Sequence, residues 1–231
     1  MKAVLLAAGF GTRLRPITDD KPKCLVEINN RPLLAYWLDA LQRCGITDVL
    51  INLHYQAEKV EIFLEQNTHA ISVHLVYETQ LLGTAGTIRQ NKQFFDEAST
   101  LVAHADNFCL SDLNKLRKAH ATRPQDALIT MMTFETLDPK NCGIVEVNAE
   151  GLVIGFHEKV ENPPGNVANA AVYIFEAEVI DNITRCSQHN LDISLDVLPR
   201  YIGRIQAWPA NKFHIDIGTL PNLKRANDWM M

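Results

Sequence analysis

The residues with the clearest chemical potential lie close to the N-terminus. Segment 3–16 reads AVLLAAGFGTRLRP, and Lys21-Pro22-Lys23 follows soon after. Glycine allows a positive φ and the close approach of a ligand, and successive backbone N–H groups in such a loop can surround an anion. Arg13 and Lys23 add fixed positive charge to the same place. This combination predicts a polyphosphate-binding loop, and hence an enzyme that uses a nucleotide.

The loop differs from two common phosphate-binding patterns. No Gly-Lys-Ser/Thr follows at the spacing of a Walker motif, and Leu14 occupies the position of the third glycine of the dinucleotide fingerprint. The loop is therefore neither of these, and its remaining residues must indicate its function.

Two further segments could carry chemistry. Asp106 follows a predicted buried strand, and a carboxylate there lies at the ligand-binding edge of an open α/β sheet. It could also simply cap the next turn. Segment 82–86, LGTAG, is typical of a glycine-rich helix N-terminus with Thr84 as N-cap. Its small residues would also let a nucleobase lie against the backbone.

Apolar periodicity in the first half predicts the elements that position these residues. Strands are expected at 4–7, 48–53, 71–76 and 100–105. Helices are expected from Pro32 onward, at 57–66 with Val60, Ile62, Phe63 and Leu64 facing inward, and at 84–95. This alternation is typical of a doubly wound α/β layer with a mostly parallel sheet and right-handed crossovers.

The pattern changes near residue 124. Strands are predicted at 127–134, 143–147, 153–157 and 168–175, with a hairpin turn at 148–151. Helices follow at 178–185 and 195–202, then strands at 205–208 and 213–215 and a final helix from Pro221. No Ser/Gly-rich linker separates the halves, so we predict one domain over residues 1–231 with a substrate-side β lobe.

Composition excludes several classes of protein. The 231 residues include 22 basic and 27 acidic side chains, a net charge of -5, which argues against a nucleic-acid partner. No apolar run is long enough to span a membrane. The five cysteines show no Cys-x-x-Cys spacing and are typical of small buried residues in a reducing compartment. A cytoplasmic location is therefore predicted.

The opening segment resembles the signature of the sugar-phosphate nucleotidylyltransferases, and the resemblance continues along nearly the whole chain. It implies a Rossmann-like fold of the nucleotide-diphospho-sugar transferase type, with a nucleotide-binding half at 1–125 and a sugar-phosphate-binding half at 126–231. It implies joining of a sugar 1-phosphate to a nucleoside triphosphate with release of pyrophosphate. The implied nucleotide-binding residues are Leu6, Ala8, Gly9, Gly11, Thr12, Arg13, Lys23, Glu78, Gly83, Thr84 and Ala85.

The resemblance also extends to the base, the metal and the sugar phosphate. The pattern Glu78-x-x-x-Leu-Gly-Thr-Ala-Gly is similar to that of guanylyltransferases that handle mannose-type sugars, which favours GTP. Segment 214–219, HIDIGT, matches a family motif whose aspartate, with Asp106, holds Mg²⁺; here that aspartate is Asp216. Arg13, Lys23 and Asp106 are the implied catalytic residues. The implied sugar-phosphate residues are Asn107, Gly143, Glu158, Lys159 and Asn169.

Four positions depart from the family pattern. Ala105 and Ala171 replace glycines, Cys142 replaces an aromatic residue, and Val160 replaces a proline. The last three leave the sugar open. A cytidylyl- or uridylyltransferase acting on another sugar phosphate or on phosphocholine stays an alternative, as does a non-catalytic nucleotide-binding regulatory module. The oligomeric state cannot be inferred from the sequence.

Overall fold

The structure of the protein, a computed structural model, describes residues 1–95, 98–188 and 190–229. The helices are α1 (Leu33–Arg43), α2 (Ala57–Gln66), α3 (Thr84–Gln90), α4 (Leu113–Ala121), α5 (Ala177–Arg185) and α6 (Leu220–Trp229). The strands are β1 (Lys2–Leu6), β2 (Glu27–Ile28), β3 (Arg31–Pro32), β4 (Asp48–Leu53), β5 (Ser72–Tyr77), β6 (Thr100–His104), β7 (Asn107–Cys109), β8 (Ile129–Glu135), β9 (Gly143–Val147), β10 (Val153–Glu158), β11 (Val167–Phe175), β12 (Ile205–Pro209) and β13 (His214–Asp216).

The chain divides into two compact units, each built from separate segments. Unit 1 comprises Met1–Leu81, Ala103–Leu113 and Lys212–Met231, and unit 2 comprises Leu82–Val102 and Asn114–Asn211. Strands alternate with helices along the chain, so the predicted α/β class is confirmed. None of the described helices is both long and apolar enough to cross a lipid bilayer. All five cysteines lie in the described ranges, and no disulfide joins them.

Unit 1 contains a parallel sheet of β1, β4 and β5. Leu6 pairs with Asn52, and Leu53 pairs with Tyr77, so the carboxyl ends of the three strands lie at the same edge. The interior of β1 is fully buried, as expected for a strand covered on both faces. The loops that follow these strands therefore meet at one edge of the sheet.

Two helices of unit 1 differ in how well their buried face was predicted. In α1 the residues at helical spacing, from Leu33 to Leu41, form one buried face as expected. The bounds predicted for α2 are correct, but its inward face was partly wrong. Val60 is buried, whereas Ile62 is 49% exposed. A residue two positions along a helix lies about 200° around the axis, so Ile62 lies on the opposite face.

Unit 2 contains a mixed group of strands. β11 pairs antiparallel with β8 and β9, β10 pairs antiparallel with β9, and β12 runs parallel to β8. The predicted hairpin turn between β9 and β10 is confirmed. Asn148 N–H donates to Leu152 O at 2.9 Å, and Gly151 has a φ of +81°. β11 carries an irregularity between Asn169 and Tyr173, where its register with β8 shifts.

Three helix predictions need correction. The helix expected at 84–95 ends at Gln90, and a short 3-10 turn follows at Lys92–Phe94. The helix expected at 195–202 is a π-helical turn, Ile193–Val197, followed by a 3-10 turn, Leu198–Tyr201, because a proline near its middle cannot continue an α-helix. Helix α4 was missed, because its buried face combines two leucines with the polar His120.

Candidate active site

The anion loop, residues 9–13, follows directly after β1 in unit 1. Gly11 has a φ of +65°, and a Cβ there would lie 3.0 Å from Thr18 Cγ2 and 3.3 Å from Lys23 Cβ. Thr18 Oγ1 donates a 2.8 Å hydrogen bond to Gly11 O. Both the backbone conformation and the packing therefore require glycine at this position.

Gly9 is a different case. Its φ lies outside the left-handed region, and no atom lies within 4 Å of the position that a Cβ would take. The fold therefore does not require glycine here. The loop lines a cavity of about 230 Å³, together with Lys23, Asp106 and Gly218. A ligand in this cavity could contact the Gly9 backbone directly.

Lys23 lies between two carboxylates from distant parts of the chain. Its Nζ donates to Asp106 Oδ2 at 2.8 Å and to Asp216 Oδ1 at 2.7 Å. The lysine side chain is 7% exposed, whereas the two aspartates are 39% and 42% exposed. The predicted convergence of Asp106 and Asp216, called here the carboxylate pair, is therefore present within unit 1.

The charges of this cluster stabilise one another. Burial by itself lowers the pKa of Lys23, but the two carboxylates outweigh it and raise that pKa above its usual value. Burial tends to raise the pKa of Asp106, but the Lys23 ammonium and, less strongly, His104 lower it below its usual value. Lys23 and Asp106 therefore each favour the charged form of the other.

The Asp216 carboxylate is held by a backbone N–H two residues further along the chain and by Arg13. Gly218 N–H donates to Asp216 Oδ1 at 2.8 Å, and Arg13 NH2 donates to Asp216 Oδ2 at 3.4 Å. A Cβ on Gly218 would lie 2.6 Å from Arg13 NH2 and 2.8 Å from Asp216 Oδ2. Gly218 was not among the predicted site residues. Its place two positions after Asp216 was the available signal.

Asn107 lies on β7, directly opposite Asp216 on β13. It is buried, and its carbonyl oxygen accepts a 2.9 Å hydrogen bond from Trp37 Nε1. Its backbone thus helps to fix the strand pair that carries the carboxylates. A role for its side chain toward a sugar phosphate stays a prediction.

The carboxylate pair fits a hard divalent cation. Asp106 Oδ2 and Asp216 Oδ1 both accept a hydrogen bond from Lys23 Nζ, so the distance between these two oxygens cannot exceed the sum of the two hydrogen-bond lengths. The carboxylates therefore converge on a single point. Mg²⁺ is usually held by one or two carboxylates together with waters and substrate phosphates, rather than by a complete protein shell. No group of three or more His, Cys, Asp or Glu side chains in metal-binding geometry occurs among the described residues.

Asn52 connects Glu78 by hydrogen bonds to Ala7, which lies two residues before the anion loop. Asn52 Nδ2 donates to Glu78 Oε1 at 2.8 Å, and Asn52 Oδ1 accepts from Ala7 N–H at 2.7 Å. Both side chains are buried. Leu6 and Ala8, the neighbours of Ala7, are also buried, so these predicted nucleotide-binding residues lie together at the carboxyl edge of the unit 1 sheet. Asn52 was missed, although a polar residue in an otherwise apolar strand was a visible signal.

The predicted residues Gly83, Thr84 and Ala85 lie in unit 2. Gly83, with a φ of +81°, is the N-cap of α3, so the expectation that Thr84 caps this helix was wrong. Thr84 Oγ1 instead donates to Asp192 Oδ2 at 3.0 Å and accepts from Ile193 N–H at 2.7 Å. The Thr84 hydroxyl is not needed to cap α3, because the Leu191 carbonyl already accepts from Ala85 N–H and Gly86 N–H, at 2.8 and 3.0 Å.

Unit 2 also brings together the predicted sugar-phosphate residues of three strands. Glu158 on β10 pairs with Gly143 on β9, where a Cβ would lie 2.5 Å from Glu158 Oε2. The pairing of Ala168 with Ile144 brings Asn169 of β11 beside Gly143. Lys159 Nζ lies 3.2 Å from Glu158 Oε1, and the lysine side chain is largely exposed. These four residues, Gly143, Glu158, Lys159 and Asn169, are called here the Glu158 cluster.

The side chain of Asn169 is fixed by the irregularity in β11. Its Oδ1 accepts from Ala171 N–H at 2.9 Å, and its Nδ2 donates to Tyr173 OH at 2.6 Å. Ala171 has a φ of +52°, a conformation that favours glycine. Burial raises the pKa of Tyr173, which keeps its hydroxyl neutral. Where the resemblance implies a glycine, this chain has an alanine that adopts a left-handed conformation at some cost.

Comparison with known proteins identifies the group to which these features correspond. A sequence profile of the family described as nucleotidyl transferase matches residues 2–230. A mannose-1-phosphate guanylyltransferase catalytic subunit beta from Drosophila melanogaster is 33% identical over 223 residues, which cover 94% of this chain and 59% of that protein. A mannose-1-phosphate guanyltransferase from Neurospora crassa is 30% identical over 226 residues, which cover 94% of this chain and 61% of that protein.

The solved structures agree on the fold. The crystal structure of HddC from Yersinia pseudotuberculosis superimposes with a TM-score of 0.83 at 24% identity, covering 100% of this chain and 99% of that one. At this identity the similarity shows the fold alone. The chain spans about three fifths of the length of the two relatives it matches.

Proposed function

The chain belongs to the nucleotidyl transferase family, and from this premise we propose that it transfers a nucleoside monophosphate from a nucleoside triphosphate to a sugar 1-phosphate, releasing pyrophosphate. The observation that carries this proposal is the convergence of Lys23, Asp106 and Asp216 beside the anion loop. This arrangement combines cationic side chains for phosphates with carboxylates for a divalent cation.

The proposed reaction is an in-line displacement at the α-phosphorus. An oxygen of the sugar phosphate forms the new P–O bond, the bond between the α-phosphorus and its bridging oxygen to the β-phosphate breaks, and pyrophosphate leaves. Two anions must meet, so positioning and charge neutralisation account for most of the catalysis. Lys23 would hold the reacting phosphate groups, and Arg13 would neutralise charge on the departing pyrophosphate.

Asp106 and Asp216 would hold Mg²⁺, which when bound supplies charge neutralisation to the phosphate groups. The two carboxylates are suited to this because they reach one point, Asp106 from the residue directly before β7 and Asp216 from the end of β13. Gly218 N–H keeps the Asp216 carboxylate in that orientation.

We infer that the base is guanine, on the chemistry of Glu78. A carboxylate only accepts hydrogen bonds. Guanine presents two adjacent donors, N1–H and the 2-amino group, whereas the other bases present at least one acceptor at the corresponding edge. A buried carboxylate held by Asn52 therefore favours guanine. A role for Gly83, Thr84 and Ala85 in nucleotide binding stays a prediction from the sequence.

The Glu158 cluster is the proposed sugar-phosphate site of unit 2. Lys159 supplies a largely exposed ammonium for the phosphate, and Glu158 and Asn169 supply polar groups for sugar hydroxyls. A contact of the Asn107 side chain with a sugar phosphate stays a prediction from the sequence. Guanylyl transfer to a mannose-type sugar is the preferred reaction, and the cytoplasm, where both substrates would be available, is the proposed location.

A substrate panel tests this function. The purified protein is offered GTP, ATP, UTP, CTP and dTTP, each with mannose 1-phosphate, glucose 1-phosphate or phosphocholine, and pyrophosphate release is measured with Mg²⁺ present. We expect release with GTP and a hexose 1-phosphate. Release only with CTP and phosphocholine would favour the choline alternative. Nucleotide binding without turnover on any pair would favour a regulatory module.

The guanine assignment has its own test. Glu78→Gln keeps the size of the side chain but turns an NH₂ donor toward a guanine donor. We expect kcat/KM for GTP to fall about 10- to 100-fold, because a buried polar mismatch costs about 1–3 kcal/mol. Glu65→Gln, which neutralises an exposed glutamate of α2, is the control. An unchanged preference for GTP in Glu78→Gln would remove this residue from base selection.

A further inference from the structure

The Lys23 ammonium occupies the point at which the carboxylate pair converges. Its two hydrogen bonds, of 2.8 and 2.7 Å, reach one oxygen of each aspartate. It is the most buried of the three side chains, at 7% exposure. This is not a surface ion pair, because the lysine is held between the two acids rather than beside one of them.

We propose that Lys23 is a resident cation, which occupies the carboxylate pair in the nucleotide-free chain and moves to the phosphates when a divalent metal ion takes its place. The proposal rests on the function above and adds a step to it. Lys23 would thus have two successive partners, first the carboxylates and then the substrate.

Electrostatics requires some cation at this point. Two carboxylates that converge would repel each other if no cation lay between them. Lys23 removes this repulsion, and Arg13 contributes a weaker contact at 3.4 Å. The carboxylate pair is therefore held in its orientation before any metal binds.

The same geometry makes the ammonium and a metal ion competitors. Asp106 Oδ2 and Asp216 Oδ1 are already bonded to Lys23 Nζ, and Asp216 Oδ1 also accepts from Gly218 N–H. A divalent cation that bound both aspartates would lie in contact with a like charge, which is unfavourable at this distance. Metal entry therefore requires the ammonium to leave.

The structure also indicates where the ammonium can go. The Lys23 stem lies next to the anion loop, since a Cβ on Gly11 would be 3.3 Å from Lys23 Cβ. The backbone of Lys23 is fixed in a short 3-10 turn, and the neighbouring Cys24 is buried. The four carbons of a lysine side chain are joined by rotatable bonds, so the ammonium can move toward the loop while the backbone stays in place.

This exchange predicts positive coupling between metal and triphosphate. Metal alone leaves a displaced ammonium without an anion, whereas a triphosphate in the anion loop supplies one. Each ligand therefore makes binding of the other easier, and the coupling is reciprocal.

The test is a titration of the nucleotide-free protein with Mn²⁺, in which the electron paramagnetic resonance signal of the free ion measures how much Mn²⁺ is bound. It compares the wild type with Lys23→Met, which keeps the length of the side chain and removes the charge. Lys21→Met, which removes a partly exposed lysine whose Nζ lies 3.6 Å from Glu27 Oε1, is the matched control. We expect Lys23→Met to bind Mn²⁺ about tenfold more tightly than the wild type, within the range usual for coupled ligands. Lys21→Met should match the wild type.

A double variant locates the gained affinity. In Lys23→Met/Asp106→Asn the gain should disappear, because one of the two carboxylates is gone. Lys23→Gln provides the same comparison if Lys23→Met does not fold. Equal or weaker Mn²⁺ binding in a folded Lys23 variant would overturn the resident-cation role, since Lys23 would then merely organise the acids. Failure of the proposed function would appear separately, as an absence of pyrophosphate release by the wild type.

Discussion

At the scale of single residues, the three glycines that line the cavity are present for different physical reasons. Gly11 is required by its φ of +65° and by contact with Thr18 and Lys23, and Gly218 by contact with Arg13 and Asp216. Gly9 is required by neither, since its φ is ordinary and its surroundings are open. Because Gly9 has no Cβ, the cavity keeps free space beside the backbone at this position.

Gly9→Ala is therefore expected to spare the fold and impair the ligand. We expect its free energy of unfolding to stay within about 0.5 kcal/mol of the wild type, as for substitutions without new contacts. The dissociation constant for GTP should rise about tenfold, which corresponds to about 1.4 kcal/mol. Gly165→Ala, at another open position with an ordinary φ, is the control for both measurements. Normal GTP binding by Gly9→Ala would contradict the role of this loop.

Asp106 is predicted to be needed for turnover and not for folding. Asp106→Asn keeps the size of the side chain and still allows a hydrogen bond to Lys23, but it removes the negative charge. We expect kcat to fall about 10²- to 10³-fold, the usual loss for one preorganised electrostatic group. Pyrophosphate release at saturating substrates measures this loss, and circular dichroism checks the fold. Asp126→Asn, an exposed aspartate of unit 2, is the control.

At the scale of elements, the loop before α3 depends on a segment far away in the sequence. The Leu191 carbonyl accepts two N–H groups of α3, and Thr84 exchanges hydrogen bonds with Asp192 and Ile193. Asp192 Oδ1 in turn accepts from Ser194 N–H and caps the π-helical turn. The conformation of the predicted nucleotide loop is thus set by contacts within unit 2, not by its own sequence.

Thr84→Val tests this dependence. Valine has the same shape but removes the hydroxyl that accepts from Ile193 N–H and donates to Asp192 Oδ2. We expect a loss of stability of about 1–3 kcal/mol in chemical denaturation, the usual cost of unsatisfied groups in part-buried positions. The KM for GTP should rise while kcat changes little.

Thr184→Val is the comparison for that experiment, since the Thr184 hydroxyl makes one exposed hydrogen bond, of 2.9 Å, to Asp181 O. If Thr84→Val and Thr184→Val gave the same stability and the same KM for GTP, the contacts with Asp192 would have no part in holding the loop.

At the scale of the whole molecule, each unit buries a histidine that resists protonation. Burial lowers the pKa of His120 in unit 2 to about 4, and the nearby Arg123 adds to this while Glu176 opposes it. Burial lowers the pKa of His214 in unit 1 to about 4, against the attraction of Asp216 and Asp106. Both side chains are neutral in the folded protein at pH 7, although a histidine in the unfolded chain titrates near about 6.5.

These two histidines make the protein sensitive to acid. Between the unfolded pKa and the folded pKa the unfolded chain binds more protons, so the free energy of unfolding falls as the pH decreases from about 6.5 to about 4. The contribution is complete above that window. We expect each histidine to account for about 1–2 kcal/mol of the loss at pH 5.

Urea denaturation at pH 7 and pH 5 measures this effect. His120→Gln loses the hydrogen bonds to Thr130 and Glu176, of 2.8 and 2.9 Å, so it should be less stable at both pH values. The informative quantity is the difference between the two pH values, which should be smaller than in the wild type. His74→Gln, at a half-exposed position, should keep the wild-type difference. An unchanged difference in His120→Gln would show that His120 does not titrate as described.

Much of the fold was predictable from local pattern. β4, β9 and α2 have the predicted bounds, because apolar residues dominate the two strands and recur along the helix. The π-helical turn at Ile193–Val197 was not predictable, because its backbone is held by contacts with Thr84 rather than by periodicity. Helix α4 was missed for a related reason, since the polar His120 completes its buried face through bonds to Thr130 and Glu176.

The types of residue proposed to carry the chemistry were recognisable from the sequence alone: a glycine loop, two basic side chains and two aspartates in motifs. Only the tertiary structure decided that Lys23 bonds both Asp106 and Asp216, because strand pairing and loop packing bring together groups separated by up to 193 positions in the chain. It also decided that Thr84 bonds Asp192 instead of capping α3. Periodicity records which side of an element faces the core, but it contains no information on which distant group a polar side chain will meet.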